Sequence, residues 1–192
     1  HLQPRAFNPP EPPFRGGYPA AGVTTAGTVA TCGGMQVGPV TIFMDGFVDG
    51  VTKYNADNGK KVVVKGWDKA AQKGSFTGDF NYQSKGQNMA KGFIDAGADI
   101  ILPVAGPVGL GAAAAATEAG KVKIIGVDQD WFVTAPQYKA IGLSAVPKPM
   151  EPAGVAVSKT TRDGRSDPAA CKGDLAHNGS RPAPSRARRP PP

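Results

Sequence analysis

Two carboxylates that follow a short apolar run are the first candidates for chemistry in this chain. Asp128 and Asp130 come directly after residues 123–127, whose pattern predicts a β-strand. A carboxylate at the carboxyl end of a strand can accept hydrogen bonds from two hydroxyls of a sugar, or it can bind a metal ion. For Asp128 we favour ligand binding. For Asp130 we favour a structural role but retain it among the candidate ligand-binding residues.

The residues that catalysis would need are missing around these carboxylates. The two histidines, His1 and His177, lie in the end segments, and the sequence has no Ser-centred elbow and no cluster of metal ligands. Cys32 and Cys171 show no CxxC or Cys/His spacing of a zinc site. We therefore predict a protein that is not an enzyme and that uses no metal or other cofactor.

A glycine-rich turn carries the next candidate. Gly106, Gly109 and Gly111 fall between an apolar run and an alanine-rich run, so they predict a strand-to-helix turn that brings backbone N–H groups close to a ligand. The spacing is not the dinucleotide fingerprint, and no GKS or GKT follows for a phosphate loop. Taken alone, the turn is more simply explained by close helix packing.

Aromatic residues follow the second apolar run. Phe76 and Phe80 lie in a polar loop over residues 68–84, and a ring above a crevice can stack on a flat ligand. Either ring could instead fill the core, and we expect Phe76 to do so and Phe80 to stack. Trp67 could do either. Lys148 follows the last apolar run and could donate to ligand oxygens, although a single lysine is usually only solvated.

Five apolar, β-like runs alternate with helical patterns and must position these candidates. The runs cover residues 28–32, 62–65, 100–104, 123–127 and 141–146. Helices are predicted over 38–58, over about 85–96 and around 112–116. Such alternation with continuous apolar strands predicts a parallel sheet covered on both faces. We therefore expect a three-layer α/β/α lobe over residues 27–148, with ligands bound beyond the carboxyl ends of its strands.

The two ends differ from this body in composition. Prolines are concentrated in residues 4–19 and 147–192, so we predict a loop-rich leader over 1–26 and a disordered, Pro/Arg-rich tail over 149–192. The tail holds six Arg and two Lys against three Asp and one Glu, which is +4 of the net +7. The remaining +3 requires no nucleic-acid partner, and no apolar run is long enough to span a membrane.

Several blocks agree in order and spacing with one protein family. They are residues 33–36, 40–47, 66–68, 74–80, 97–101, 103–107 and 125–130. Over about 18–148 the chain closely resembles the basic membrane protein family, the substrate-binding lipoproteins of bacterial ABC importers that take up purine nucleosides. The resemblance implies one lobe, mostly the second, of a two-lobed type I periplasmic-binding-protein-like fold. It also implies ABC permease subunits as partners and a lipid anchor on the outer side of the bacterial plasma membrane.

The same resemblance implies a role for four candidates. Phe80 would stack on the base, and Asp128 would hold the ribose hydroxyls. Gly106 would allow close approach of the backbone. Lys148 would help to hold the ribose, although the block before it departs from the family pattern. The predicted function is therefore delivery of purine nucleosides to an ABC importer, without catalysis.

The resemblance fails at both ends. Only residues 17–24 resemble the end of the family's first lobe, and Pro19 should break the helix there. We expect the two end segments to come from out-of-frame translation of a GC-rich gene or from a damaged fragment. The effector-binding lobe of a transcriptional regulator has the same architecture and is the alternative function. A small hydrolase or dehydrogenase is a weaker alternative, because the body has neither a histidine nor a dinucleotide fingerprint.

Overall fold

Strands and helices alternate along most of the chain. The structure is a computed structural model, and it describes residues 5–7, 11–128, 131–147 and 171–173. In chain order the elements are β1 (Arg5–Phe7), α1 (Glu11–Val23), β2 (Thr28–Gly33), α2 (Gly38–Asn58), β3 (Val63–Lys65), β4 (Trp67–Asp68), β5 (Lys73–Gly74), α3 (Gln83–Asp95), β6 (Ile100–Val104), α4 (Gly109–Ala119), β7 (Lys123–Asp128), α5 (Trp131–Thr134), β8 (Gly142–Pro147) and β9 (Cys171–Gly173). Short 3-10 turns cover Gly106–Val108 and Pro136–Tyr138.

The central layer is a parallel sheet of five strands in the order β3-β2-β6-β7-β8. Strands β2, β6 and β7 are buried along most of their length. Burial on both faces explains why their sequences are continuous apolar runs, not alternating ones. The predicted parallel α/β fold is confirmed. Because the strands are parallel, their carboxyl ends lie along one edge of the sheet.

Helices cover both faces of this sheet. One hydrophobic cluster joins the sheet to α1 and α2. It includes Phe43, Phe47 and Val51, which are spaced so that they lie on one face of α2. A second cluster, which includes Phe93 and Ala113, joins the other face to α3 and α4. The predicted three layers are therefore present. Within the described ranges, no helix is long and apolar enough to cross a membrane.

Helix α1 shows that the prediction of a loop-rich segment over residues 1–26 was wrong. Two of its prolines fall in the first turn, where the missing N–H has no helical partner in any case. Pro19 lies inside the helix and removes one internal hydrogen bond. Packing on α2 offsets this cost, since a Cβ on Gly17 would lie 2.1 Å from the carbonyl oxygen of Phe47. Helix α1 therefore covers the same face of the sheet as α2.

The tail contains one short element. Strand β9 pairs in parallel with β1, with Arg5 opposite Cys171, so the prediction of disorder was wrong for these three residues. The two strands hydrogen-bond to each other through their backbones. This pairing is possible because residues 171–173 contain no proline and so keep their N–H donors. The rest of residues 149–192 lies outside the described residues, and the domain boundary at residue 148 stays a prediction.

Candidate functional site

The carboxyl edge of the sheet carries those candidate residues that the structure describes. Phe80 lies against the end of β2, Gly106 follows β6, and Asp128 ends β7. Neighbouring strands are about 4.8 Å apart, so the ends of β2 and β7, two strands apart, are separated by about 10 Å. Lys148 follows β8, but both Lys148 and Asp130 lie outside the described residues. Three candidates from distant parts of the sequence thus share one edge.

A cleft of about 240 Å³ opens at the ends of β6 and β7. Its lining includes Gly106, Pro107, Leu110, Asp128, Trp131 and Thr134. Gly106 and Asp128 both have left-handed backbone conformations, with φ of 52° and 68°. For a residue with a side chain this conformation costs about 1–2 kcal/mol, and such strain is concentrated at functional sites. The cleft therefore joins a mostly apolar wall to one carboxylate on a constrained backbone.

The glycines of the glycine-rich turn serve two different purposes, close helix packing and access to the cleft. A Cβ on Gly111 would lie 1.8 Å from the carbonyl oxygen of Gln83, so the close packing of α4 on α3 requires glycine there. Gly109 packs against Trp131, whose ring would lie 3.1 Å from an added Cβ. An added Cβ on Gly106 would have no atom of the described residues within 4 Å. Packing thus explains Gly109 and Gly111, whereas Gly106 faces the cleft.

Trp131 is a part of the cleft that the sequence analysis missed. It is the first residue of α5. Its indole N–H donates to the carbonyl of Val127 at 3.2 Å, and its ring lies on Gly126, where an added Cβ would be 2.7 Å from the ring. The available signal was a glycine inside a buried strand, which marks a close approach. The ring forms a fixed aromatic wall beside Asp128.

Two phenylalanine rings lie on the two glycines at the end of β2. An added Cβ on Gly33 would be 2.6 Å from the ring of Phe76, and one on Gly34 would be 2.4 Å from the ring of Phe80. Both rings are half-buried against the first hydrophobic cluster. Phe76 also meets Trp67 edge to face, with ring centroids 5.8 Å apart, so its predicted core role is confirmed. The stacking role of Phe80 stays a prediction.

Trp67 belongs to the core. It is 5% exposed, and its indole N–H donates to a carboxylate oxygen of Asp45 at 2.8 Å. Of the two roles that the sequence left open, packing and ligand stacking, the structure supports packing. A role of Trp67 in ligand binding stays a prediction.

Asp79 holds the loop immediately before Phe80. Its carboxylate accepts hydrogen bonds from Lys85 Nζ at 2.5 Å and from the backbone N–H groups of Tyr82 and Asn81 at 2.8 and 2.9 Å. The hydrogen bond from Lys85, followed by the one from Tyr82, lowers the pKa of Asp79. The ionised side chain therefore fixes the path of the chain between Phe80 and α3.

Metal binding has no visible basis in the part of the chain that the structure describes. These residues contain no group of three His, Cys, Asp or Glu side chains placed to hold an ion. Cys32 is buried in β2, and burial raises the pKa of its thiol to about 12. The group is therefore a neutral thiol that packs as a small apolar side chain.

Comparison with known proteins adds family information to this geometry. Residues 5–164 match the Bmp family, described as ABC transporter substrate-binding protein PnrA-like. The chain is 32% identical over 127 residues to the ABC transporter nucleoside-binding protein BmpA of Lactococcus lactis subsp. cremoris (strain MG1363). This alignment covers 62% of this chain and 33% of the relative. It is also 33% identical over 144 residues to basic membrane protein D of Borreliella burgdorferi (strain JD1), in an alignment that covers 74% of this chain and 38% of that relative. The chain thus spans about a third of the length of the curated relatives it matches.

Solved structures show the same fold in two kinds of protein. A solute-binding protein of an ABC transporter system from Aeropyrum pernix K1 superposes with a TM-score of 0.74 at 23% identity, over 93% of this chain and 48% of that one. A transcriptional activator of the comK gene from Bacillus halodurans gives 0.75 at 17% identity, over 96% and 58%. At these identities the likeness shows the fold alone. The family match favours the first kind, and the chain belongs, as its sequence blocks predicted, to the Bmp family of ABC transporter substrate-binding proteins.

Proposed function

We propose that this lobe forms one wall of a nucleoside site in a protein that delivers purine nucleosides to an ABC importer. The cleft at the ends of β6 and β7 is the observation that carries the proposal, because Asp128 and Gly106 line it together. A carboxylate that accepts two hydrogen bonds suits the paired hydroxyls of ribose. A relative that is 32% identical is named as nucleoside-binding, which supports this choice of ligand over a free sugar.

The base would lie on the β2 side of this cleft. Phe80, at the end of β2, offers a half-exposed ring on which a purine can stack. The separation of about 10 Å between the ends of β2 and β7 suits a base joined to a ribose that reaches Asp128. Lys148, which follows β8 in the sequence, would also donate to the ribose. In this proposal Asp130 keeps a structural role.

In this proposal the lobe supplies one half of a ligand site that lies between two lobes. The cleft of about 240 Å³ is smaller than the roughly 300–1,000 Å³ of complete ligand sites. In two-lobed binding proteins the ligand contacts both lobes and so favours the closed form, which is the form a transporter recognises. We expect the protein to act outside the cytoplasmic membrane, held by a lipid anchor, with ABC permease subunits as its partners. Membership of the family supports these last points.

Titration calorimetry with inosine, guanosine, adenosine and free ribose tests the proposal. We expect the chain of 192 residues to bind nucleosides with a Kd of about 1 mM, because about 4 kcal/mol of binding free energy is reasonable for one wall of a site. Ribose alone should bind more weakly, since it cannot reach Phe80. A submicromolar constant for this chain would contradict the half-site. Binding of ribose as tightly as inosine would contradict the choice of nucleosides.

The effector-binding lobe of a transcriptional regulator is the second candidate. Its architecture is the same, since the chain superposes on the comK activator with a TM-score of 0.75. The family match counts against it. Genes for a permease and an ATPase beside this one would support import, whereas a helix-turn-helix segment encoded upstream in the same reading frame would support the regulator.

A further inference from the structure

A short hairpin lies between β3 and the loop that carries Phe80. Its strands, β4 and β5, pair antiparallel, with Trp67 opposite Gly74. An added Cβ on Gly74 would lie 2.7 Å from the ring of Trp67, so the indole lies directly on the opposite strand. We call residues 67–74 the Trp67 hairpin. The buried indole is the part of this hairpin that meets the core.

Asp45 of α2 attaches the Trp67 hairpin to the body of the lobe. Its carboxylate accepts the indole N–H of Trp67 at 2.8 Å and the side-chain amide of Gln72 at 3.2 Å. Gln72 forms the turn, with a φ of 51°, and its carbonyl accepts the side-chain amide of Gln36 at 2.7 Å. Without Asp45, a buried indole N–H would lose its acceptor, which is more costly than losing a solvated contact.

The chain that leaves the hairpin runs along the end of β2 to Phe80. Backbone hydrogen bonds join Gly33 to Ser75 and to Thr77, both at 3.0 Å, and Gly34 to Gly78 at 2.8 Å. Phe76, in the middle of this segment, packs edge-on against Trp67. Phe80 follows two residues after the last of these bonds and lies on Gly34. The position of the Phe80 ring is therefore linked, contact by contact, to the indole of Trp67.

We propose that Asp45 is a positioning residue that holds the Phe80 ring in place through Trp67, and so sets the affinity for the purine base. This inference rests on the proposed function, which assigns the base to Phe80. The ribose contacts at Asp128 lie two strands away and are independent of this link. Loss of the link should therefore weaken binding of a nucleoside and leave binding of free ribose unchanged.

The test compares Asp45→Ala, Trp67→Phe and the double variant with the wild type, using NMR titrations with inosine and with ribose. Each single variant should weaken inosine binding about tenfold, which is 1.4 kcal/mol, and should change ribose binding less than twofold. The double variant should be no weaker than either single variant, because both break the same link. Asp49→Asn is the matched control. Asp49 lies one turn further along α2 and pairs with Lys69 of the same hairpin, but this ion pair is exposed, so its loss should have no measurable effect.

Equal weakening of inosine and ribose in Asp45→Ala would show a general structural defect and overturn the inference, as would unchanged inosine binding. If Asp45→Ala does not fold, Trp67→Phe, which keeps an aromatic ring in the core, carries the test alone.

A second measurement separates this inference from the proposed function. In the free protein, the nuclear Overhauser effect between the Phe80 ring and the Gly34 amide should be lost in Asp45→Ala and kept in Asp49→Asn. Its retention in Asp45→Ala overturns the positioning role, whatever the protein binds. Its loss, in a protein that binds no nucleoside, supports the positioning role and contradicts the proposed function alone.

Discussion

Asp99 and Asp128 both lie beside strands of the same sheet, at opposite edges. Asp99 precedes β6 at the amino edge, and its carboxylate accepts hydrogen bonds from the hydroxyl of Thr24 at 2.5 Å, from the N–H and hydroxyl of Thr25 at 2.7 and 3.0 Å, and from the N–H of Ala26 at 2.9 Å. Asp128 ends β7 at the carboxyl edge and lines a cleft. The same residue type thus fastens a loop at one edge and lines a candidate site at the other. The direction of the strand distinguishes the two roles.

Asp99→Ala tests the amino edge and has the largest expected effect. The variant loses four hydrogen bonds to one carboxylate, and the hydroxyl and N–H groups that donated them must bond to water in its place. We expect the free energy of unfolding to fall by about 2 kcal/mol. Hydrogen bonds to charged groups are worth about 1.5–3 kcal/mol each, but three of these four bonds are exposed to solvent and contribute less. Urea denaturation at neutral pH measures the change. Inosine affinity should not change.

Asp128→Ala is the opposite case. It should weaken inosine binding at least about tenfold, or 1.4 kcal/mol, because the ribose loses its acceptor. The left-handed backbone at Asp128, with a φ of 68°, should make an alanine there cost about 1 kcal/mol of stability, which is less than the cost expected for Asp99→Ala. Calorimetry and urea denaturation measure the two quantities. If Asp128→Ala destabilised the fold as much as Asp99→Ala, the contrast between the edges would be wrong.

Gly106→Ala sharpens the contrast within the carboxyl edge. The left-handed backbone at Gly106, with a φ of 52°, should make an alanine cost about 1 kcal/mol of stability although space is available. Gly92→Ala is the control. Gly92 lies inside α3 with similar open space but without a positive φ, so alanine should stabilise by about 0.5–1 kcal/mol. Thermal denaturation measures both, and the same sign of change in the two variants would contradict the role of backbone strain.

Acid should remove the stabilisation that the ionised carboxylate of Asp99 contributes at the amino edge of the sheet. Burial alone would raise the pKa of Asp99, but the hydrogen bonds from Thr24, Ala26 and Thr25 lower this pKa below its ordinary value. The folded state therefore binds the proton less tightly than the unfolded state. The stabilisation is complete above the unfolded pKa of about 4 and is lost as the pH falls through the lower pKa of the folded protein.

The unfolding free energies of the wild type and Asp99→Asn, measured across acidic pH, test this smallest effect. Their difference should be constant above about pH 5 and should shrink below about pH 4. A difference that grew as the pH fell would contradict the direction of the pKa shift.

The sequence was sufficient to predict the sheet and its two helical layers. Continuous apolar strands and a regular helical stripe on α2 are local patterns, and both were confirmed. Helix α1 was missed because prolines argue against a helix when only local preferences are considered. Its stability depends on Gly17, which allows backbone contact with α2 at a position about 30 residues away in the sequence, and no local pattern reveals such a contact.

The candidate site was predicted in part, for a related reason. Asp128 and Gly106 follow strands, so their shared edge was a consequence of the parallel sheet. The core role of Trp67 depends on its acceptor, Asp45, on a preceding helix. The wall formed by Trp131 depends on the absence of a side chain at Gly126. Neither partner could be identified until the fold had brought the two residues together.

The contact between α1 and α2 decides where the chain can be cut. A Cβ on Gly50 would lie 2.3 Å from the carbonyl oxygen of Phe14, and the ring of Tyr18 meets that of Tyr54 edge to face at 5.3 Å. A polypeptide that started at Gly27 would leave this face of α2 open to solvent, and exposed apolar faces of this kind lead to aggregation. Expression and fusion experiments should therefore keep the proline-rich helix, because it covers this apolar face of α2.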